Sequence, residues 1–194
     1  MRRVARTLMR VTGTINPNAV TITGCLLSGV SGWLAYRELF LAAGLVFLLG
    51  SLLDSMDGAI AKVTGRVSAF GGFLDSTLDR VSEGLLLMGL GLMFADRDAT
   101  LPLAACFVAL ASSYLTSYTR AKAEALGVAC KGGLASRVER VVLLSIGLLL
   151  ATWWFMALEV IMYVLAATAA LTVLQRVLHV HRALPDGRKP RRDP

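Results

Sequence analysis

Apolar residues fall into six long runs separated by short polar breaks, roughly 18–36, 39–61, 72–95, 101–126, 134–155 and 157–178. Each run is close to the ~20 residues that a bilayer core requires, and several are long enough to tilt or protrude. Lipid offers no partner to a backbone amide, so each run is expected to be an α-helix. The first fourteen residues read differently: Val4, Leu8 and Val11 share one side, flanked by Arg3, Arg6 and Arg10, as in a helix lying in the membrane interface. The Asn-Pro-Asn at 16–18 interrupts it, and Pro17 suits the first turn of the first spanning helix. The predicted fold is all-α and polytopic. It has an amphipathic interfacial helix over 1–15, a six-helix transmembrane domain over 16–180, and a disordered basic tail over 181–194.

Composition supports that reading: 56% of the 194 residues are hydrophobic, and the mean hydropathy is +0.65. The start of the chain has no compact apolar stretch followed by a small-residue cleavage site, so the first spanning helix is expected to direct insertion. Cys25, Cys106 and Cys130 are widely spaced in or beside apolar segments and read as small buried hydrophobes. The net charge of +7 has a sidedness. With both termini and the 2–3 and 4–5 connections on one side, that side collects nearly all Lys and Arg, leaving Arg37 and Arg97 opposite. The positive-inside rule then puts both termini in the cytoplasm and the protein in the cytoplasmic membrane. The basic face has no interleaved aromatics, so nucleic acid is not an expected partner.

One stretch breaks the apolar pattern: DSMDGAIAKVTGRVSAFGGFLDSTLD, residues 54–79. Asp54 and Asp57 are three apart near the end of the second helix, and Asp75 and Asp79 are four apart near the start of the third. Each spacing puts the pair on one helical face, and a short turn lets the two faces meet. Four anions cannot share a small volume unless protons or cations neutralise them. Oxygen ligands without His or Cys favour a hard ion, Mg²⁺ or Mn²⁺, and two such ions form a clamp suited to phosphoryl displacement. Gly58 and Gly71 would allow a substrate or backbone to approach the carboxylates, and Lys62, Arg66 and Ser68 offer donors to a nucleotide phosphate. A divalent-cation pathway lined by the same aspartates is the rival reading. It is disfavoured because both helices turn wholly apolar beyond the carboxylates.

The stretch resembles the signature of the CDP-alcohol phosphatidyltransferases, D-x2-D-G-x2-A-R-x8-G-x3-D-x3-D. Asp54, Asp57, Gly58, Ala61, Gly71, Asp75 and Asp79 match it at every spacing, and Lys62 replaces the family's Arg. Lys keeps the charge but lacks the guanidinium fork. The resemblance implies that an alcohol oxygen attacks the lipid-linked phosphorus of a CDP-linked lipid and displaces CMP. By the same mapping Asp54, Asp57, Asp75 and Asp79 hold two ions, and Asp79 is also the general base. Gly58 and Ser68, with Pro17 and Asn18 before the first helix, would then contact the nucleotide, and the family's dimers imply a homodimer.

The acceptor side is less determined. Arg120, Lys122, Lys131, Arg137 and Arg140 surround one cytoplasmic connection, which suits either a phosphorylated acceptor or plain positive-inside decoration. SYTRAKAE followed by SRVER is similar to the branch that uses inositol phosphate, the phosphatidylinositol-phosphate and archaetidylinositol-phosphate synthases, with Val138 in place of a common Pro. That similarity implies that Arg120, Lys122, Arg137 and Arg140 hold the acceptor phosphate, and that Glu124 or Glu139 orients them. Glycerol 3-phosphate is the competing acceptor.

Overall fold

The computed structural model describes residues 16–184, except Arg66, Lys131 and Ala135 and several side chains around 57–64 that include Asp57 and Lys62. The predicted interfacial helix over 1–15 and the tail beyond residue 184 lie outside the described residues. Among the described residues there are six helices: α1 Pro17–Tyr36, α2 Phe40–Thr64, α3 Ala69–Asp96, α4 Thr100–Ala125, α5 Arg137–Ala151 and α6 Phe155–Ala183. The all-α reading holds. Three helices, α1, α4 and α6, are long and apolar enough to cross a membrane on length and composition alone. Of the others, α2 has a described apolar stretch over Phe40–Met56, α3 carries Asp75, Asp79, Arg80 and Glu83, and α5 is 15 residues long.

Helix ends follow local chemistry. Asn16 caps α1 by accepting the Asn18 N–H at 3.1 Å, with Pro17 in the first turn. Ser68 caps α3, its Oγ accepting the Gly71 N–H at 2.9 Å. The helix therefore starts at Ala69, three residues before the predicted 72. α5 begins at Arg137 rather than 134 because Ser136, the N-cap residue, is extended at φ −66° and ψ 171°. α6 continues to Ala183, so residues 181–183 of the predicted tail are helical. Val180 and Leu184 explain the extension: they pack on a small cluster of Ala123, Val128 and Cys130.

The described residues form two compact units, one ending at Met93 and one beginning at Phe94. In the first, α1 is an inverted amphiphile. Thr21, Gly24, Cys25, Ser28, Ser31, Gly32 and Ala35 face inward, whereas Ile22, Leu26, Val30 and Trp33 face outward. Small inward residues let backbones approach, as helix association in lipid requires. A Cβ on Gly24 would lie 2.9 Å from the Gly50 carbonyl oxygen, and one on Gly89 would collide with the backbone of Gly32. Ser31 Oγ also donates to the Ala43 carbonyl at 2.8 Å. α1 is thus the shared spine against which both α2 and α3 pack. In the second unit α6 packs against α4 and α5. α4 repeats the inversion, with Ala105, Ala109, Ser112, Ser113 and Thr116 buried and Phe107, Tyr114 and Leu115 outside. Large apolar side chains on the outer surface are what a lipid solvent selects.

Candidate metal and nucleotide site

Packing on α1 brings the acidic ends of α2 and α3 together. Gly24 makes room for α2 just before the acidic end: a Cβ there would be 2.9 Å from the Gly50 carbonyl oxygen, one turn before Asp54. Asp54 is buried at 6% exposure, and Asp75 and Asp79 are half-buried. One carboxylate oxygen from each of the three lies within 4.8 Å of the others. Arg80 folds back along α3 to donate to the carbonyl of Ser76. Glu83, one turn beyond Asp79, is buried at 6% exposure. The fourth predicted ligand, Asp57, stands on α2, but its side chain is outside the described ones.

The donor set fits a hard divalent cation. It is all oxygen, largely withdrawn from solvent, and nearly spanned by two metal–oxygen bonds of about 2.1 Å. Burying three carboxylates on adjacent helices without such a partner would be costly.

Beside this cluster lies a pocket of about 160 Å³ walled by Pro17, Asn18, Thr21, Gly58, Ala61, Val67, Ser68, Gly71, Gly72 and Asp75. Five predicted nucleotide residues, Pro17, Asn18, Gly58, Ser68 and Gly71, therefore share one cavity, and Asp75 joins it to the acidic cluster. Lys62, the sixth, has a side chain outside those described. The space where a Gly58 side chain would stand is open. Gly71 is tight instead, its missing Cβ 3.0 Å from Ser68 Oγ and 3.4 Å from Asn18 Oδ1. Ser68 has a structural duty that the pattern did not suggest, since its oxygen caps α3. Its hydroxyl proton still offers a donor. Thr21 escaped the sequence reading, although it lies four residues after Pro17 on the same face and donates to the Pro17 carbonyl at 3.1 Å.

The predicted acceptor cations belong to the second unit. Arg120 Nε pairs with Glu124 Oε1 at 2.8 Å, both side chains about half exposed (49% and 48%). Lys122 is exposed in the last turn of α4. At the start of α5 Arg137 is half-buried and Arg140 is buried at 5% exposure. Glu139 accepts the Ser136 hydroxyl at the start of its own helix. Burial of Arg140 exceeds what surface decoration needs. Arg176 was missed altogether. It is buried at 6% exposure on α6, donating through Nε to the Gly132 carbonyl at 3.0 Å and through Nη1 to the carbonyl of Thr116. A lone cation inside an apolar run was the available signal.

A family model described as CDP-alcohol phosphatidyltransferase matches residues 14–174 of the chain. The chain belongs to that family. It is a membrane-embedded transferase with a divalent-metal cofactor. The transferase is 36% identical over 189 residues to the archaetidylinositol phosphate synthase of Pyrococcus horikoshii, covering 96% of this chain and 94% of the relative. Its fold matches the crystal structure of Mycobacterium tuberculosis phosphatidylinositol phosphate synthase with CDP-DAG bound. The TM-score is 0.83 at 34% identity, over 92% of each chain. The same mycobacterial enzyme in complex with manganese and citrate matches with a TM-score of 0.83, over 92% of this chain and 87% of that one.

Proposed function

We propose that the transferase moves a phosphatidyl-type group from a CDP-linked lipid to a hydroxyl of inositol phosphate and releases CMP. The observation that carries this reading is the shared wall of the two sites: Asp75 belongs both to the acidic cluster and to the pocket lined by the nucleotide residues. A diphosphate lying across that wall would keep its nucleoside end against Pro17, Asn18 and Gly58. Its phosphates would meet the carboxylate cluster. The relatives named archaetidylinositol phosphate synthase and phosphatidylinositol phosphate synthase favour inositol phosphate over glycerol 3-phosphate as the acceptor.

Asp54, Asp57, Asp75 and Asp79 would hold two ions, Mg²⁺ or Mn²⁺. When bound, these supply charge neutralisation at the diphosphate and at the oxygen that leaves with CMP. The remaining chemistry belongs to the chain. Asp79 takes the proton of the attacking hydroxyl. A new bond forms from that oxygen to the lipid-linked phosphorus, and the bond from the phosphorus to the bridging oxygen breaks, so CMP departs with the electron pair. Gly58 leaves room for the nucleotide, while Lys62 adds a point charge at the phosphates. Ser68 and Gly71 keep the start of α3 tight beside them. Arg120, Lys122, Arg137 and Arg140 bind the acceptor phosphate, with Glu124 holding Arg120 in place. A homodimer in the cytoplasmic membrane, with both termini in the cytoplasm, gives the lipid donor lateral access and the soluble acceptor access from water.

The test is CMP release from CDP-diacylglycerol by purified protein with Mg²⁺, comparing inositol 1-phosphate, glycerol 3-phosphate, inositol and serine. Release driven by inositol 1-phosphate supports the assignment. Release with glycerol 3-phosphate alone moves the acceptor and keeps the chemistry. Release with none, with diacyl or ether-linked donor, overturns the reading.

A further inference from the structure

The geometry points to His179 as a positioning residue for the acceptor site, acting as the outer clasp of a latch that holds the α4–α5 connection against α6. The inference rests on the assignment of Arg120, Lys122, Arg137 and Arg140 to the acceptor phosphate. Those four cations flank the connection, two in the last turns of α4 and two in the first turn of α5. Whatever fixes the connection therefore fixes the distance between the two pairs.

What fixes it is one stripe of α6. Thr172, Arg176 and His179 are spaced by four and three residues and so share a helical face. Each meets the connection at a different point. Thr172 lies where a side chain on Gly133 would collide, which keeps that glycine backbone against the helix. Arg176 donates to the carbonyls of Gly132 and, on α4, Thr116, tying the connection and the acceptor helix to one guanidinium. His179 Nε2 lies 3.0 Å from the carbonyl oxygen of Ala129. A carbonyl only accepts, so Nε2 carries the hydrogen. Between the two hydrogen-bonded contacts Cys130 is held at 2% exposure.

The two hydrogen-bonding members of the stripe differ in what their removal does. Arg176 is buried and ties α4 to the connection through two carbonyls, so its loss would disturb packing and function together. His179 is exposed and makes its bond at the rim. Its loss releases the connection near Ala129 and leaves the inner anchor in place. The acceptor cations should then lose their fixed separation while the nucleotide pocket, built from α1, α2 and α3, keeps its shape.

The test uses the full chain in two readouts, with His179→Ala and His179→Gln, the amide of Gln supplying an N–H near the Nε2 position. First, in a Cys25→Ala/Cys106→Ala background the maleimide labelling rate of Cys130 reports release of the connection. It should rise about fivefold in His179→Ala, the value of one ordinary hydrogen bond, and return toward the parent rate in His179→Gln. Second, steady-state transfer should show the KM for the phosphorylated acceptor rising by about the same factor in His179→Ala, with kcat and the KM for CDP-diacylglycerol within about twofold, and with His179→Gln restoring it. An unchanged labelling rate overturns the latch. A raised labelling rate with an unchanged acceptor KM, or with both KM values raised together, overturns the positioning role. Turnover with a different phosphorylated alcohol would revise the acceptor, and the KM comparison would then be made with that alcohol. Labelling needs no turnover, so the latch is tested even if the acceptor assignment fails.

Discussion

Replacing Asp75 by Asn should make the metal-free protein more stable and blind to Mn²⁺. Asp75 carries one of three carboxylate oxygens that lie within 4.8 Å of one another. Two unit charges at that separation repel by about 3.5 kcal/mol at an effective dielectric of 20. Asp75→Asn removes two of the three pairs at almost constant volume. Solvent and counter-ions screen part of this repulsion in the wild type, so the recovered stability should be roughly 1–3 kcal/mol. For a chain of this size that corresponds to a rise of roughly 2–12 °C in the unfolding midpoint. The wild type should gain about 2.7 kcal/mol from Mn²⁺ at a hundredfold excess over its Kd. The variant should gain almost nothing and release no CMP. The assay is thermal unfolding in detergent with EDTA and across a Mn²⁺ titration. A lowered midpoint in EDTA would refute the electrostatic account of the cluster. A full Mn²⁺ response in the variant would refute the assignment of Asp75 as a ligand.

Three further outcomes follow from the packing. Gly71→Ala adds a Cβ 3.0 Å from Ser68 Oγ and 3.4 Å from Asn18 Oδ1. It should raise the KM for CDP-diacylglycerol several-fold while leaving the acceptor KM within about twofold, checked by steady-state kinetics. Gly89→Ala forces α3 away from the backbone of Gly32 on α1 and should cost roughly 1–3 kcal/mol, read from the thermal midpoint. Glu38 and Asp98 close the turns after α1 and α3 in left-handed conformation, at φ 60° and 54°. The corresponding turn after α4 uses Gly127 at φ 77°. Glu38→Gly and Asp98→Gly should each stabilise the protein by up to about 1 kcal/mol, with CMP release unchanged.

Much of the architecture was legible because a membrane leaves the chain few options. Six apolar runs had to be helices, and their centres were recovered to within a turn. Their ends were set by single residues that hydropathy does not weigh: Ser68 and the extended Ser136 as N-cap residues, and Val180 with Leu184 as a packing extension. Gly24, Gly32 and Gly89 set how closely α2 and α3 approach α1. The acidic cluster was legible for a different reason. Carboxylates in apolar helices are expensive, so their spacing carries information without any knowledge of the fold. The pocket wall was only partly legible. Pro17, Asn18, Gly58, Ser68 and Gly71 stood out, whereas Thr21 looked like one more small residue in a span. Arg176 was the largest omission, and the contact made by His179 was not foreseen. Their partners Thr116, Gly132 and Ala129 are 60, 44 and 50 residues away, and they are backbone carbonyls that any residue type would supply. No local pattern encodes such a contact.

The central claim is that the aspartates of α2 and α3 hold the transfer site for a CDP-linked lipid. The most direct measurement is mass spectrometry of the lipid product and of CMP in one reaction mixture of CDP-diacylglycerol, inositol 1-phosphate and Mg²⁺, run with wild type and with Asp79→Asn. The account predicts equimolar phosphatidylinositol phosphate and CMP from the wild type, and neither from Asp79→Asn or from wild type in EDTA. Equal product from Asp79→Asn, or undiminished product in EDTA, would contradict it.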